Sequence, residues 1–230
     1  MTATIALLSA GAVKPGLVKV IDAFERDSRH KVKTIFATAP EIRKRLRSSE
    51  IPDVVIAPAE LINDFAGENS VIAGDRVCVG RIGVGVMVRE DMPSPQISTV
   101  ESFRQALLNA ESIVYNQAST GIYLESLFDK LGIAAQVKSK ATRYPDFAAV
   151  LDHVRKGNRN EIGLGATTVI IENNGKGIRF VGPLPAEIQN YTSYTAAVVG
   201  ASVVRNAALE LIRYLASPSA KLLFSGAGIE

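Results

Sequence analysis

The sequence has one cysteine, Cys78, and two histidines, His30 and His153, among its 230 residues. A single cysteine excludes an internal disulfide and any metal site built from several thiolates. Cys78 lies in the apolar run Val77-Cys78-Val79, which predicts a buried, inert thiol. The histidines stand apart from any serine or cysteine motif. His30 falls in a charged turn and His153 on a helical stretch between Asp152 and Val154, and both read as structural. No G-x-S-x-G, Walker A or H-E-x-x-H pattern occurs. Gly163-Leu164-Gly165-Ala166 begins like a dinucleotide loop but lacks the third glycine, and reads as a strand end. Asp53 and Glu161 stay open as acid–base groups, because a carboxylate needs no motif. Also missing are a run of about 18 apolar residues, the length of a membrane span, and any long block of like charge. The net charge is only +3, and Arg43-Lys44-Arg45 with Arg47 falls on a helical pattern that reads as a solvated face. These absences argue against a membrane-embedded protein and against a nucleic-acid partner. The start, Met1 to Leu8, has no basic segment and is too short for a signal peptide. As written the chain is expected in the cytoplasm, or in the periplasm if a leader has been removed.

What is present is a globular composition, 47% hydrophobic and 21% charged, in a chain long enough for one large or two small cores. The most informative stretch is Ile113 to Leu131. Ile113-Val114-Tyr115 reads as a buried strand, and Leu124, Leu127, Phe128 and Leu131 form one face of a helix. Between them lies Asn116-Gln117-Ala118-Ser119-Thr120-Gly121. Helix N-termini present unsatisfied N–H groups and the positive end of a dipole, so such a loop can hold an anion. Ser119 or Thr120 as a simple helix cap is the other reading. The same design recurs twice. Strand Ile5–Leu8 leads through Ser9-Ala10-Gly11 to a helix with Leu17, Val20, Ile21 and Phe24. Strand Val32–Phe36 leads through Thr38 and Ala39 to a helix with Ile42 and Leu46.

Asp53-Val54-Val55-Ile56-Ala57 reads as a central parallel strand. Arg76 to Arg89 reads as one long, glycine-bent strand and Gln136 to Lys140 as another strand. Ile162–Gly165 and Ile178–Val181 follow as short strands, and Tyr194 to Val204 as a long returning β-run. Val100, Phe103 and Leu107, then Phe147, Val150, Leu151 and Val154, then Ala208, Leu211, Ile212 and Leu215, mark helices. Alternating strands and helices predict an α/β fold, with ligands at the carboxyl ends of parallel strands.

In this order the chain resembles type II periplasmic-type solute-binding proteins, and most of all the molybdate (oxyanion) branch of ABC-transporter substrate-binding proteins. The likeness rests on Ser9-Ala10-Gly11, the Asp53–Ala57 strand and Ser119-Thr120-Gly121-Ile122-Tyr123. Gly182-Pro183-Leu184-Pro185 and the ending Leu215-Ala216-Ser217-Pro218-Ser219-Ala220 complete it. The resemblance implies two lobes, each a mostly parallel sheet flanked by helices, joined by two crossing strands. Lobe I would be residues 1–80 and 195–230, and lobe II residues 81–194. It implies non-catalytic capture of a molybdate-like oxyanion in an interlobe cleft, no cofactor and no metal, with an ABC permease as partner. Carried over, Ser9 and Thr38 supply hydroxyls, next to Ala10, Gly11 and Ala39. Ala118 and Ser119, with Thr120 and Gly121, supply amide donors. Thr142-Arg143-Tyr144 and Gly165-Ala166 stand for the remaining donors.

The pattern departs from the family at two places. Ala10 and Gly11 follow Ser9 where a second serine is usual, and Thr38 replaces a serine. Arg143 does not belong in an all-neutral oxyanion site. Pointing into the cleft it would favour a carboxylate or a phosphorylated organic acid; on the surface it would be irrelevant. An intracellular sensor or buffer of the same fold, binding such an acid, is the alternative reading.

Overall fold

The computed structural model describes residues 2–48, 51–68, 70–158 and 160–230. It divides into two units, Met1–Ile82 with Thr192–Glu230, and Gly83–Tyr191.

The first unit opens with β1 (Thr4–Ala10), a short 3-10 turn (Gly11–Val13) and α1 (Lys14–Asp27). It continues with β2 (Lys31–Ala37), α2 (Ala39–Leu46), β3 (Val54–Pro58), α3 (Ala59–Gly67) and β4 (Val71–Ile82). In the second unit come β5 (Val84–Arg89), α4 (Val100–Asn109), β6 (Ser112–Asn116), α5 (Ser119–Lys130) and α6 (Ala134–Lys138). They are followed by β7 (Ala141–Tyr144), α7 (Phe147–Lys156), β8 (Glu161–Ala166), α8 (Thr167–Asn173) and β9 (Ile178–Pro183). The chain returns to the first unit as β10 (Thr192–Val199), α9 (Arg205–Leu215) and α10 (Pro218–Ser225).

The two sheets repeat one topology. The first runs β2-β1-β3-β10-β4 and the second β7-β6-β8-β5-β9. In each, three adjacent strands are parallel, and the strand that has just crossed from the other unit, β10 or β5, is inserted antiparallel beside them. The α/β architecture read from the periodicity is therefore the observed one. Within each unit the three parallel strands end on the same edge of the sheet, and each feeds a helix there.

Apolar spacing sets the cores. In α1, Leu17, Val20 and Phe24 are buried on one face, and β3, an interior strand of its sheet with α2 and α3 packed against it, is buried nearly throughout. The second unit packs Phe103, Leu107, Leu124, Phe128 and Ile133 against β5, β6 and β8.

Four expectations change. The stretch Gln136 to Lys140 is not a strand. Ile133 and Val137, buried four residues apart, make the helical pair of α6, and the strand follows at Ala141–Tyr144 in register with β6. Only one apolar residue lies within Gln136–Lys140, too few to separate a strand from a short helix. The Arg76–Arg89 run is two strands broken at Gly83, one in each sheet. The returning β-run ends at Val199, and Val203 is 95% exposed. Cys78 is exposed, because β4 is an edge strand whose side chains alternate between core and solvent. Helix α3 had no counterpart in the sequence reading, although Leu61, Ile62 and Phe65 are its buried face.

Candidate functional site

At the strand carboxyl ends of the first unit stand the N-termini of α1, α2 and α3, and none has a side-chain cap. In the second unit α5 and α8 start the same way after β6 and β8, while α7 is capped by Asp146, whose carboxylate oxygen accepts from the Ala149 N–H. Away from these ends, α4 has a Thr99–Ser102 capping box and Ser217 caps α10. The uncapped α6 and α9 show that the contrast is not absolute. Still, each strand-end helix except α7 leaves its first N–H groups to something other than its own side chains.

The candidate residues fall as follows. Ser9 is the ninth residue of the chain and lies within β1, not in the loop. It is 0% exposed, and its Oγ donates to the Ala10 carbonyl at 3.3 Å. Ala10 is buried as well, whereas Gly11 begins the turn, and a Cβ there would meet nothing within 4 Å. The backbone at Gly11 therefore borders open space. Thr38 is the N-cap residue of α2 with extended backbone, but its side chain makes no cap bond; its carbonyl accepts from Ile42. Ala39 follows as the first helical residue. Lys14, the first residue of α1, holds its Nζ 5.6 Å from the centroid of the Phe36 ring, and Phe36 sits in register with Ser9.

In the second unit Ala118, not Ser119 or Thr120, occupies the N-cap of α5, and no side chain caps that helix. The simple capping role is thus excluded. Gly121 lies at the third position of α5, against the end of β6. A Cβ there would sit 1.7 Å from the Asn116 carbonyl oxygen, so only glycine lets the helix start approach the strand end. Asn116 Oδ1 is buried and lacks a hydrogen-bond partner among the described residues; a donor arriving there would offset the cost of about 1–3 kcal/mol. Arg143 pairs with Glu125 of α5 at 2.8 Å and lies 5.9 Å from the Tyr115 ring centroid. Burial first, and the Glu125 carboxylate second, push the Tyr115 phenol above its ordinary value, so the ring is neutral at pH 7. The Tyr144 hydroxyl is held by His153 Nδ1 at 2.9 Å.

The structure thus brings Ser9, Gly11, Thr38 and Ala39 to one sheet edge, and Ala118 to Gly121 with Arg143 and Tyr144 to another. Lys14 and Asn116 were missed. A lysine opening a helix, where acidic residues are favoured, was the available signal for the first. His30 is structural: its Nδ1 accepts from the Ala3 N–H and its Nε2 bonds Glu210 Oε2 at 3.1 Å. Asp53 stands at the amino end of β3, where it accepts from the Ala6 N–H and the Ser202 hydroxyl. Glu161 likewise starts β8.

A family model described as "Bacterial extracellular solute-binding protein" matches residues 5–230. The chain belongs to this family. Among curated proteins, this solute-binding protein is 29% identical over 237 residues to an aconitate isomerase of a Pseudomonas species, covering 99% of this chain and 87% of that protein. Among solved structures it is similar to the periplasmic molybdate-binding protein of Azotobacter vinelandii, with TM-score 0.81, 13% identity and 98% coverage of both chains. It is also similar to the sulfate-binding protein SubI of Mycobacterium tuberculosis H37Rv, with TM-score 0.78, 17% identity, and 99% and 86% coverage. At those identities the two structures establish the two-lobed type II fold that the sequence resemblance implied. No helix among the described residues is long and apolar enough to cross a membrane.

Proposed function

We propose that this protein captures a small anion without transforming it, works outside the cytoplasm, and delivers the anion to an ABC permease. The observation that carries the reading is the set of strand-end helices, α1, α2, α3, α5 and α8, that begin without a side-chain cap. Their N–H groups and dipoles bind an anion without burying a charged side chain. The candidate donors are Gly11, Thr38 and Ala39 in the first unit, and Ala118 to Gly121 in the second. A compact oxyanion such as molybdate or sulfate fits donors of this neutral kind, and the named binding proteins of the same fold support it.

Thr38→Ala tests the reading. Loss of one hydroxyl donor to an ion weakens binding by about 1–2 kcal/mol, roughly 10-fold in Kd. The ligand-free melting point stays put, because Thr38 makes no cap bond. Isothermal calorimetry and a melting curve read both. Unchanged affinity for every bound anion would remove Thr38 from the site.

A second reading, that the anion is a carboxylic acid and is turned over, is favoured by the relative named aconitate isomerase. Incubation with trans-aconitate, followed by proton NMR for the cis isomer, decides it. Capture alone leaves the spectrum unchanged.

A further inference from the structure

We propose that the segment following α10, Gly226 to Glu230, is a strap over the outer edge of β4, and that releasing it turns this edge into a surface on which a second copy of the chain pairs. Among the described residues β4 is the last strand of its sheet, with β10 on one side and no further strand on the other. It is 12 residues long. A strand with one open side is a template for another chain unless something blunts it.

Two devices blunt it here. Near its start, β4 slips register against β10 between Val71 and Arg76, and within that irregularity the Ala73 carbonyl accepts from Nε of Arg76 at 2.8 Å. Near its end, the Arg81 N–H donates to the Glu230 carbonyl at 2.7 Å, and the Glu230 N–H donates to the Arg81 carbonyl at 3.0 Å. Such a mutual exchange is what a neighbouring antiparallel strand makes. Shape holds the strap in place. Ile229 is 2% exposed, and it lies so close to β4 that a Cβ at Gly80 would stand 2.6 Å from its Cγ2 and 2.7 Å from the Glu230 carbonyl oxygen. Gly80 has a φ of 143°, which a side chain would strain. The exposed Arg81–Glu230 ion pair at 3.0 Å adds little, so the backbone exchange and Ile229 carry the attachment. Between the two devices lie Val77, Cys78 and Val79, with Cys78 exposed. That short apolar stretch is what a second β4 meets once the strap lifts. Pairing the same strand on both sides closes into a two-fold dimer.

The test uses two full-length variants that lift the strap from opposite sides. Gly80→Ala pushes on it from the strand, and Ile229→Asp removes its apolar anchor. Sedimentation velocity reads the mass, a short bismaleimide cross-links Cys78 to Cys78, and circular dichroism confirms that each variant is folded. Wild type is expected to give no Cys78 cross-link. Both variants are expected to give one, with a mass twice that of wild type, and adding Cys78→Ser should abolish the cross-link while leaving the mass doubled. A folded variant that sediments as wild type does and stays uncross-linked overturns the proposal. So does a wild type that cross-links as readily as the variants. Hydrogen exchange on wild type tests the strap with no substitution at all: the Arg81 amide should exchange more slowly than a free amide, and exchange at the free-amide rate overturns the proposal.

Discussion

Gly121→Ala is expected to lose about 3 kcal/mol of folding stability, the upper range for forced overpacking, together with measurable anion binding. Helix propensity alone predicts the opposite, because alanine is better than glycine inside a helix by up to about 1 kcal/mol. Packing decides the sign. The added methyl would lie 1.7 Å from the Asn116 carbonyl oxygen and 2.9 Å from its carbon, and both are backbone atoms that no rotamer change can move. Either α5 lifts off the end of β6 or the strand end shifts, and the first N–H groups of α5 move with it. The control is Gly67→Ala. Gly67 closes the exposed end of α3, and a Cβ there meets nothing within 4 Å. That substitution should be neutral or stabilise by up to about 1 kcal/mol. Urea unfolding of the two variants, read against wild type, checks the pair. Equal midpoints for both would mean that the close approach of α5 to β6 is not required.

Asp53→Ala is expected to lose about 3 kcal/mol, since it leaves the part-buried Ala6 N–H without its carboxylate acceptor. Asp53 is 8% exposed and ties three parts of the first unit together. Its Oδ2 accepts from the Ala6 N–H of β1 at 2.8 Å, and its Oδ1 accepts from the Ser202 hydroxyl at 2.7 Å. Its own backbone bonds Ala6 and Val199. Asp53→Asn keeps an acceptor and should lose less. Because Asp53 stands at the amino end of β3, away from the strand ends where the helices start, the folded fraction of either variant should bind anions as wild type does. Chemical denaturation and calorimetry on the same samples separate the two effects. A variant of normal stability that fails to bind would instead make Asp53 part of the site.

The alternation of strands and helices was legible because it is written in local spacing: Leu17, Val20, Ile21 and Phe24 for α1, or Leu124, Leu127 and Phe128 for α5, against continuous apolar runs for β3 and β6. Where the local signal thinned, the reading slipped. Gln136 to Lys140 has one apolar residue, and its helix is set by Ile133, outside that window. Cys78 sits in an apolar run, but its exposure depends on β4 being an edge strand, which only the pairing order decides. The antiparallel insertion of β10 and β5 is likewise a property of chain crossing, with no trace in either strand's own sequence. At the candidate site, small residues before helices marked loops that lie at strand ends, ahead of helices without side-chain caps. Which side chains are available there was not legible: Ser9 faces its neighbour's carbonyl, and Arg143 carries Glu125.

The central claim is that uncapped helix starts at the strand ends hold an anion. A thermal-shift screen of the wild-type protein tests it most directly, with molybdate, tungstate, sulfate, phosphate, citrate and trans-aconitate set beside neutral sugars, amino acids and divalent cations. A ligand at a hundred times its Kd stabilises by about 2.7 kcal/mol, a clear rise in melting temperature. The predicted result is a rise with at least one anion and none with the neutral solutes or cations. A rise confined to a sugar, a zwitterion or a cation would contradict the account.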